Sequence, residues 1–384
     1  MMHRCFALIL AIAMLAGSAL ATAEQLSLPD GLTAIEEEAF MGVSEVDEIV
    51  VPEGTVSVGD RAFKDMCALR RIVLPESATD IGSDILEGAM EAVLVECPAN
   101  SAAMRYAVAN RLDYDADTTC RALIIGNTYP GTDNALKGCD NDAYGMESML
   151  ERLSGRRFLT RTVINAGRQQ CDSLIAETFS DAKEQDISVF YYSGHGFSGG
   201  ALYMADGNGY PAEHLRQQLD AVPGRKLLLI DACYSGGMID DGDAASNATN
   251  GAGELRAFQN DFLSAFRSGG DRKAAFNPSE YFLLTAARWD QTSLTVGYSS
   301  DASSWFSLFT WCLCKGCGYD YSKDKERELE ADADGDSAVS VQEAAGYILA
   351  EVERMYDNLE WDSARMQLVQ AYPAGCRWFA PFRQ

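Results

Sequence analysis

Two short runs, Phe190-Tyr-Tyr-Ser-Gly-His-Gly196 and Leu229-Ile-Asp-Ala-Cys-Tyr-Ser-Gly-Gly237, decide how this chain is read. Each begins apolar without alternation, the pattern of a strand buried on both faces, and ends in small residues. One helical pattern, residues 212–219, lies between them, so the two strands are expected side by side. His195 and Cys233 would then leave their carboxyl ends into one crevice, where ligands sit in such sheets. A thiolate nucleophile needs a base or an imidazolium beside it. The flanking glycines admit a peptide backbone, and the N–H groups of Gly196 and Cys233 are natural donors to an oxyanion. Taken singly, a Cys after an apolar strand reads as an inert core thiol, and a His between glycines as a turn residue. Together they point to chemistry.

Working outward, a second domain opens near Cys120. Residues 121–126, 158–164, 187–192, 227–231 and 281–285 read as strands. Residues 140–153, 171–179 and 212–219 read as helices. Strands alternating with helices predict an α/β domain with a mostly parallel sheet. The two quoted runs, with Ala122-Leu-Ile-Ile-Gly-Asn127 and Leu136-Lys-Gly-Cys-Asp-Asn-Asp-Ala143, resemble the caspase and metacaspase family of cysteine peptidases, nearest its metacaspase and bacterial paracaspase-like branch. The resemblance runs to about Tyr372. It implies a six-stranded sheet flanked by helices and a Cys–His dyad, His195 and Cys233, that cleaves peptide bonds. It also implies a substrate pocket, because Asp142, Ser193 and Asp231 match positions that in metacaspases line an acidic pocket for an Arg or Lys side chain. Two carboxylates in one crevice favour a cation by Coulomb attraction. Caspases proper use arginines to take an Asp side chain, and the motif segments here hold no Arg. The plainer readings are compensation of the helix dipole for Asp142 and a carboxylate bonded to nearby backbone N–H groups for Asp231.

Ahead of this domain Leu28-Pro29, Val51-Pro52, Leu74-Pro75 and Cys97-Pro98 recur every 23 residues. Ile35, Val58 and Ile81 fall in register, as do Phe40, Phe63 and Leu86. No single unit of this kind buries its own apolar face, so neighbours must stack into a solenoid. The units resemble leucine-rich repeats of the BspA type over residues 27 to about 100, and residues 101–112 read as a short closing helix. An adhesion or docking module with a protein or surface ligand is one reading, and a stabilising spacer is the other. The expected organisation is an export signal at 1–23, repeats with closing helix and linker at 24–118, and a caspase-like peptidase domain at 119–384.

The export signal rests on Arg4, the apolar run 6–16 and Ala21-Thr-Ala23 before Glu24. The run is short for a membrane span, so a secreted or cell-surface protein is expected. The formal net charge of −26 becomes about −27 without Arg4. That acidity argues against a nucleic-acid partner, which needs basic patches, and suits basic peptides. Export permits disulfides among the eleven cysteines. The crowded Cys312, Cys314 and Cys317 read as disulfide-bonded or buried thiols rather than metal ligands, there being few histidines to complete a site.

The run Asp332-Ala-Asp-Gly-Asp-Ser-Ala-Val-Ser-Val-Gln-Glu343 resembles an EF-hand loop. Asp332, Asp334, Asp336, Ser340 and Glu343 stand at ligand positions 1, 3, 5, 9 and 12, with the Ala338 carbonyl at 7. Ser337 replaces the Gly such loops use for the sharp turn. A helix is expected to follow through Arg354, and a short one to precede it over 325–331. Bound Ca²⁺ is one reading of the loop, and an acidic helix start is the other. The chemistry itself requires no cofactor. Metacaspases are often activated by calcium through aspartates near the active site; Asp240 matches one of them, and the acidic insertion after the histidine motif is shortened to 197–206. Residues 240–277 read as a flexible linker with one helical piece, residues 255–266. Arg267, Arg272 and Lys273 lie in its second half, and a cut after Arg272 or Lys273, by the chain itself or by another peptidase, is expected. Two other functions stay open: an inactive scaffold in which the repeats bind a partner, and a Cys–His hydrolase of small amides or esters.

Overall fold

The structure is a computed structural model, and it describes residues 24–89, 93–197, 201–233, 280–288, 291–297, 305–360, 366–373 and 375–384. The predicted export signal and the linker 240–277, with Asp240 and its basic residues, lie outside these. The chain divides into two compact units, Met1–Met90 and Glu91–Gln384.

In the first unit the 23-residue period becomes two ladders of parallel strands. Val46–Val50 lies between Glu24–Ser27 and Arg71–Val73. On the other ladder Ile35 pairs with Val58, and Val58 with Ile81. Phe40 and Phe63 are wholly buried and stack at 5.5 Å between centroids, and Leu86 is buried as well. Polar side chains repeat the period. Thr55 Oγ1 donates to the Leu32 carbonyl (3.0 Å) and Arg61 Nε to Glu38 (2.9 Å), each one turn away.

The second unit begins with a short parallel pair, Leu94–Glu96 and Asp113–Asp115. The predicted closing helix is α1 (Ala102–Ala109), capped by Ser101, whose Oγ accepts the Met104 N–H at 3.0 Å. The central sheet has six strands: β1 (Cys120–Gly126), β2 (Phe158–Ile164), β3 (Ile187–Ser193), β4 (Arg225–Asp231), β5 (Tyr281–Thr285) and β6 (Gln370–Tyr372). Their spatial order is β2-β1-β3-β4-β5-β6, all parallel except β6, which runs against β5. The predicted fold class is therefore met.

The unbroken apolar runs follow from helices on both faces. One layer holds α2 (Cys139–Arg152), α5 (Leu308–Gly316) and α6 (Val341–Asn358), and the other α3 (Arg168–Thr178) and α4 (Ala212–Asp220). Alternate residues divide between the two cores. Ala122, Ile124, Val189, Tyr191, Leu227 and Leu229 face the first, while Leu123, Ile125, Phe190, Tyr192, Leu228 and Ile230 face the second. Each fully buried large side chain contributes about 1.5–3 kcal/mol. Among the described residues no helix is long and apolar enough to cross a membrane. All ten cysteines described are free, and Cys312, Cys314 and Cys317 are buried thiols.

A polar hub sits at the amino ends of the strands. Asp113, fully buried, accepts from Arg156 Nη2, Arg225 Nη1 and Arg383 Nη2, each at 2.9 Å. Arg225 opens β4 and also lies over the Tyr114 ring at 3.8 Å. The expectation of a helix over 325–331 is corrected. Lys325–Glu326 is a strand paired with Tyr319–Asp320, and turn follows it. Glu328 and Glu330 sit there among short polar stretches with too few apolar residues to seat a helix on the core.

Candidate active site

The parallel register of β3 and β4 sets Ser193 directly opposite Asp231. His195 and Cys233 each stand two residues further on, so they leave adjoining strands at equal height. The two backbones are pressed together there. A Cβ built on Gly196 would lie 2.2 Å from the Cys233 carbonyl oxygen, so only glycine fits. Neither the Gly196 nor the Cys233 N–H is taken by another backbone carbonyl among the described residues.

The imidazole is held from two sides. Its Nε2 lies 2.9 Å from the Asn134 carbonyl. A carbonyl only accepts, so Nε2 carries the hydrogen and Nδ1 is left as the basic nitrogen. The Tyr129 ring stacks on the imidazole at 5.0 Å, and the His195 N–H donates to the Tyr129 hydroxyl at 2.9 Å. That hydroxyl reaches the Tyr203 carbonyl at 2.6 Å, and the Tyr192 hydroxyl braces the His195 carbonyl at 3.0 Å. Sequence reasoning missed Asn134 and Tyr129. Asn134 acts through its backbone and carries no residue signal. Tyr129 has only its place just past the carboxyl end of β1. The Cys233 Sγ, half-buried, lies 3.9 Å from the Ser293 carbonyl, and burial with the Asp231 charge nearby pushes the thiol above its ordinary range.

Behind the pair, Asp142, Ser193 and Asp231 come together, all fully buried. Asp142 stands in the first turns of α2 but does not accept from that helix. It accepts from Ser193 Oγ (2.9 Å), the Ser307 N–H (2.8 Å) and Oγ (2.5 Å), and the Tyr321 hydroxyl (2.7 Å). Asp231 accepts from Ser293 Oγ (2.7 Å), the Thr310 N–H (3.1 Å) and Thr310 Oγ1 (2.6 Å). Burial, then the charge of Asp231, pushes Asp142 up to about 7; burial also raises Asp231. A carboxylate has about four acceptor positions. Those of Asp142 are filled, whereas Asp231 Oδ1 takes one donor and keeps room for another. Neither acid has a salt-bridge partner among the described residues.

The shortened insertion after the histidine motif forms a small hairpin of Ala201–Tyr203 with Gly209–Pro211. The acidic loop lies elsewhere in the unit. Asp332, Asp334 and Glu343 each bring a carboxylate oxygen within 4.8 Å of the other two. Asp336 is buried, Ala338 lies in a strand, and Ser340 caps α6.

A family model for the caspase domain matches residues 119–331, and one for the BspA type leucine rich repeat region matches residues 19–106 in six copies. Metacaspase-7 of Arabidopsis thaliana is 27% identical over 176 residues, which cover 38% of this chain and 44% of that protein. Metacaspase-8 of the same plant is 30% identical over 148 residues, covering 32% and 38%. The chain thus spans less than half the length of these relatives. Among solved structures, caspase-1 from Spodoptera frugiperda aligns with a TM-score of 0.40 at 13% identity, covering 66% of this chain and 85% of that one.

Proposed function

The chain belongs to the caspase-domain family and carries N-terminal leucine-rich repeats of the BspA type, and from that premise we propose that it is an exported cysteine endopeptidase that cuts after Arg or Lys. The observation that carries the reading is the Ser193–Asp231 register, which supports a shared crevice for His195 and Cys233. In this reading the Cys233 thiol gives its proton to His195 Nδ1 as the sulfur attacks the scissile carbonyl carbon. The carbonyl oxygen becomes an oxyanion received by the N–H groups of Gly196 and Cys233. The imidazolium returns the proton to the leaving amine, and water, activated by the same nitrogen, then hydrolyses the thioester. The raised pKa of the thiol supports a base-assisted attack rather than a standing thiolate.

Asp142 and Asp231 supply the charge that a basic side chain would meet, the open acceptor position on Asp231 Oδ1 being its first contact. The repeats would hold a protein or surface ligand, and cleavage before Glu24 on export would free the mature chain. An arginyl chloromethylketone tests the assignment. The expected result is one covalent label, on Cys233 by peptide mapping, with turnover of a fluorogenic Arg peptide lost in Cys233→Ala. An unlabelled chain would favour the inactive scaffold, and turnover of small esters without peptides would favour the small-amide or ester hydrolase. N-terminal sequencing of the exported protein should begin at Glu24.

A further inference from the structure

We infer that the loop 332–343 binds one Ca²⁺ through Asp332, Asp334, Asp336, the Ala338 carbonyl and Glu343, and that the ion secures the peptidase unit without entering its chemistry. The inference does not rest on the peptidase reading.

Three carboxylates already converge, since an oxygen of each of Asp332, Asp334 and Glu343 lies within 4.8 Å of the others. Loop backbone holds them there. The Gly335 and Ser337 N–H groups donate to the two oxygens of Asp332 at 2.7 and 2.9 Å, and the Ala333 and Ser340 N–H groups to those of Glu343 at 3.0 and 2.8 Å. Acids in a loop can be arranged so without an ion, but Asp336 cannot be explained that way. It is 6% exposed; its Oδ1 accepts the Ala338 N–H at 2.8 Å, while its Oδ2 is shut from water with no hydrogen-bond donor. Asp332 and Asp334 act on it as like charges, and the Nη2 of Arg383, a nearby cation, is committed to Asp113. A buried carboxylate oxygen without a partner is costly. Asp336 lies outside the three oxygens that stand within 4.8 Å of one another, and a hard cation drawn to all four acids would give its Oδ2 a partner and remove that cost.

The backbone follows the requirement that the sequence left in doubt. Ser337, standing where such loops use Gly, takes φ +65° and makes the sharp turn. The Ser340 hydroxyl is occupied as the cap of α6, accepting the Glu343 N–H at 3.2 Å, so a water is the ligand at its position. All donors are oxygen, and a pliable loop with several of them suits Ca²⁺ better than Mg²⁺, which demands a strict octahedron. The loop is tied to the unit at both ends. Ala338–Val339 pairs with Phe382–Arg383, and α6 begins at Val341 and packs along α5, β5 and β6. Binding to the folded state alone raises stability with the logarithm of the free ion concentration over its Kd.

The test uses the full mature chain stripped with chelator, then titrated with CaCl₂ or MgCl₂ by calorimetry and by thermal unfolding. One Ca²⁺ per chain is expected, with a melting temperature several degrees higher at saturation and no such shift in Mg²⁺ at equal concentration. Asp336→Asn gives the distinguishing result. Without metal it should melt at or above the wild-type temperature, since the unpartnered charge is gone, while its calcium affinity falls at least tenfold. Absence of a calcium heat up to millimolar concentration overturns the inference. So does an equal shift in Mg²⁺, or an Asp336→Asn chain that binds as the wild type does.

Discussion

At the amino ends of the central strands one carboxylate, Asp113, is buried against three guanidinium groups; at the carboxyl ends two carboxylates, Asp142 and Asp231, are buried with no cation bonded to either among the described residues. The two sites exclude water alike and titrate oppositely. Burial alone would raise Asp113, but Arg156, Arg383 and Arg225 together outweigh it and hold the group below the usual carboxylate range. Burial holds Asp142 and Asp231 above it, and the charge of Asp231 adds to the rise at Asp142. Burial by itself therefore does not say what an acid is for. Where the fold supplies the opposite charge, the acid belongs to the architecture. Where the fold supplies only hydroxyls and N–H groups, the acid holds its proton more tightly, and the basic side chain proposed as substrate would bring the missing positive charge.

The contrast breaks most readily at the hub. Asp113→Asn leaves three buried guanidinium groups facing a neutral amide, and removing one partner of a buried ion pair costs about 3–5 kcal/mol. The urea midpoint of the second unit, followed by tryptophan fluorescence, should fall accordingly. A variant as stable as the parent would mean that charge does not hold the hub.

Next in size is the mirror-image experiment. Asp231→Asn should lower kcat/KM on Arg substrates by roughly 10- to 150-fold, the equivalent of about 1.5–3 kcal/mol for a charged hydrogen bond. Its unfolding midpoint should stay or rise, because a crowded charge is lost. A substrate library varied at the residue before the cut provides the measurement. A preference for Asp at that position would end the argument for an acidic pocket.

The smallest effect is on pH. Asp142, raised to about 7, keeps its proton in the folded chain where the unfolded chain has lost it. That contribution to stability is complete below the ordinary carboxylate value and disappears as pH rises through about 7. Asp113 has the opposite sign: its contribution is present above the ordinary value and is lost only as pH falls through its lowered one. Affinity for an arginine-based inhibitor should therefore strengthen from pH 6 to 8, with proton release measurable in buffers of different ionisation enthalpy. Asp142→Asn should flatten that profile, and an unchanged slope would assign it to another group.

Much of this was legible from residues alone. The unbroken apolar runs gave β1, β3 and β4 because both faces of the sheet are covered, and the 23-residue period gave the ladders because each turn repeats the same contacts. His195, Cys233 and Asp231 lie on or just beyond those strands, and Asp142 lies in the first turns of α2. What escaped lies in groups without a pattern. Ser307, Thr310 and Tyr321 reach the acids from segments that the sequence places some 80 to 180 residues away. Asn134 contributes only a carbonyl. Asp113 read as linker because a lone charged residue there ordinarily faces water; Arg225 and Lys226 at the head of an apolar strand were the available hint. The misread helix over 325–331 came from the helix–loop–helix pattern that the EF-hand resemblance implies, and Lys325–Glu326 pairs as a strand instead.

The Asp113 hub also sets a schedule. Asp113 and Arg383 are 270 residues apart in sequence, whereas the rungs of the repeats join residues 23 apart. A ribosome adds roughly 5–20 residues each second, so a nascent chain holds Asp113 for tens of seconds before Arg383 exists to meet it. The repeats can close turn by turn during that interval. The second unit cannot complete its charge balance until nearly all of it has been made.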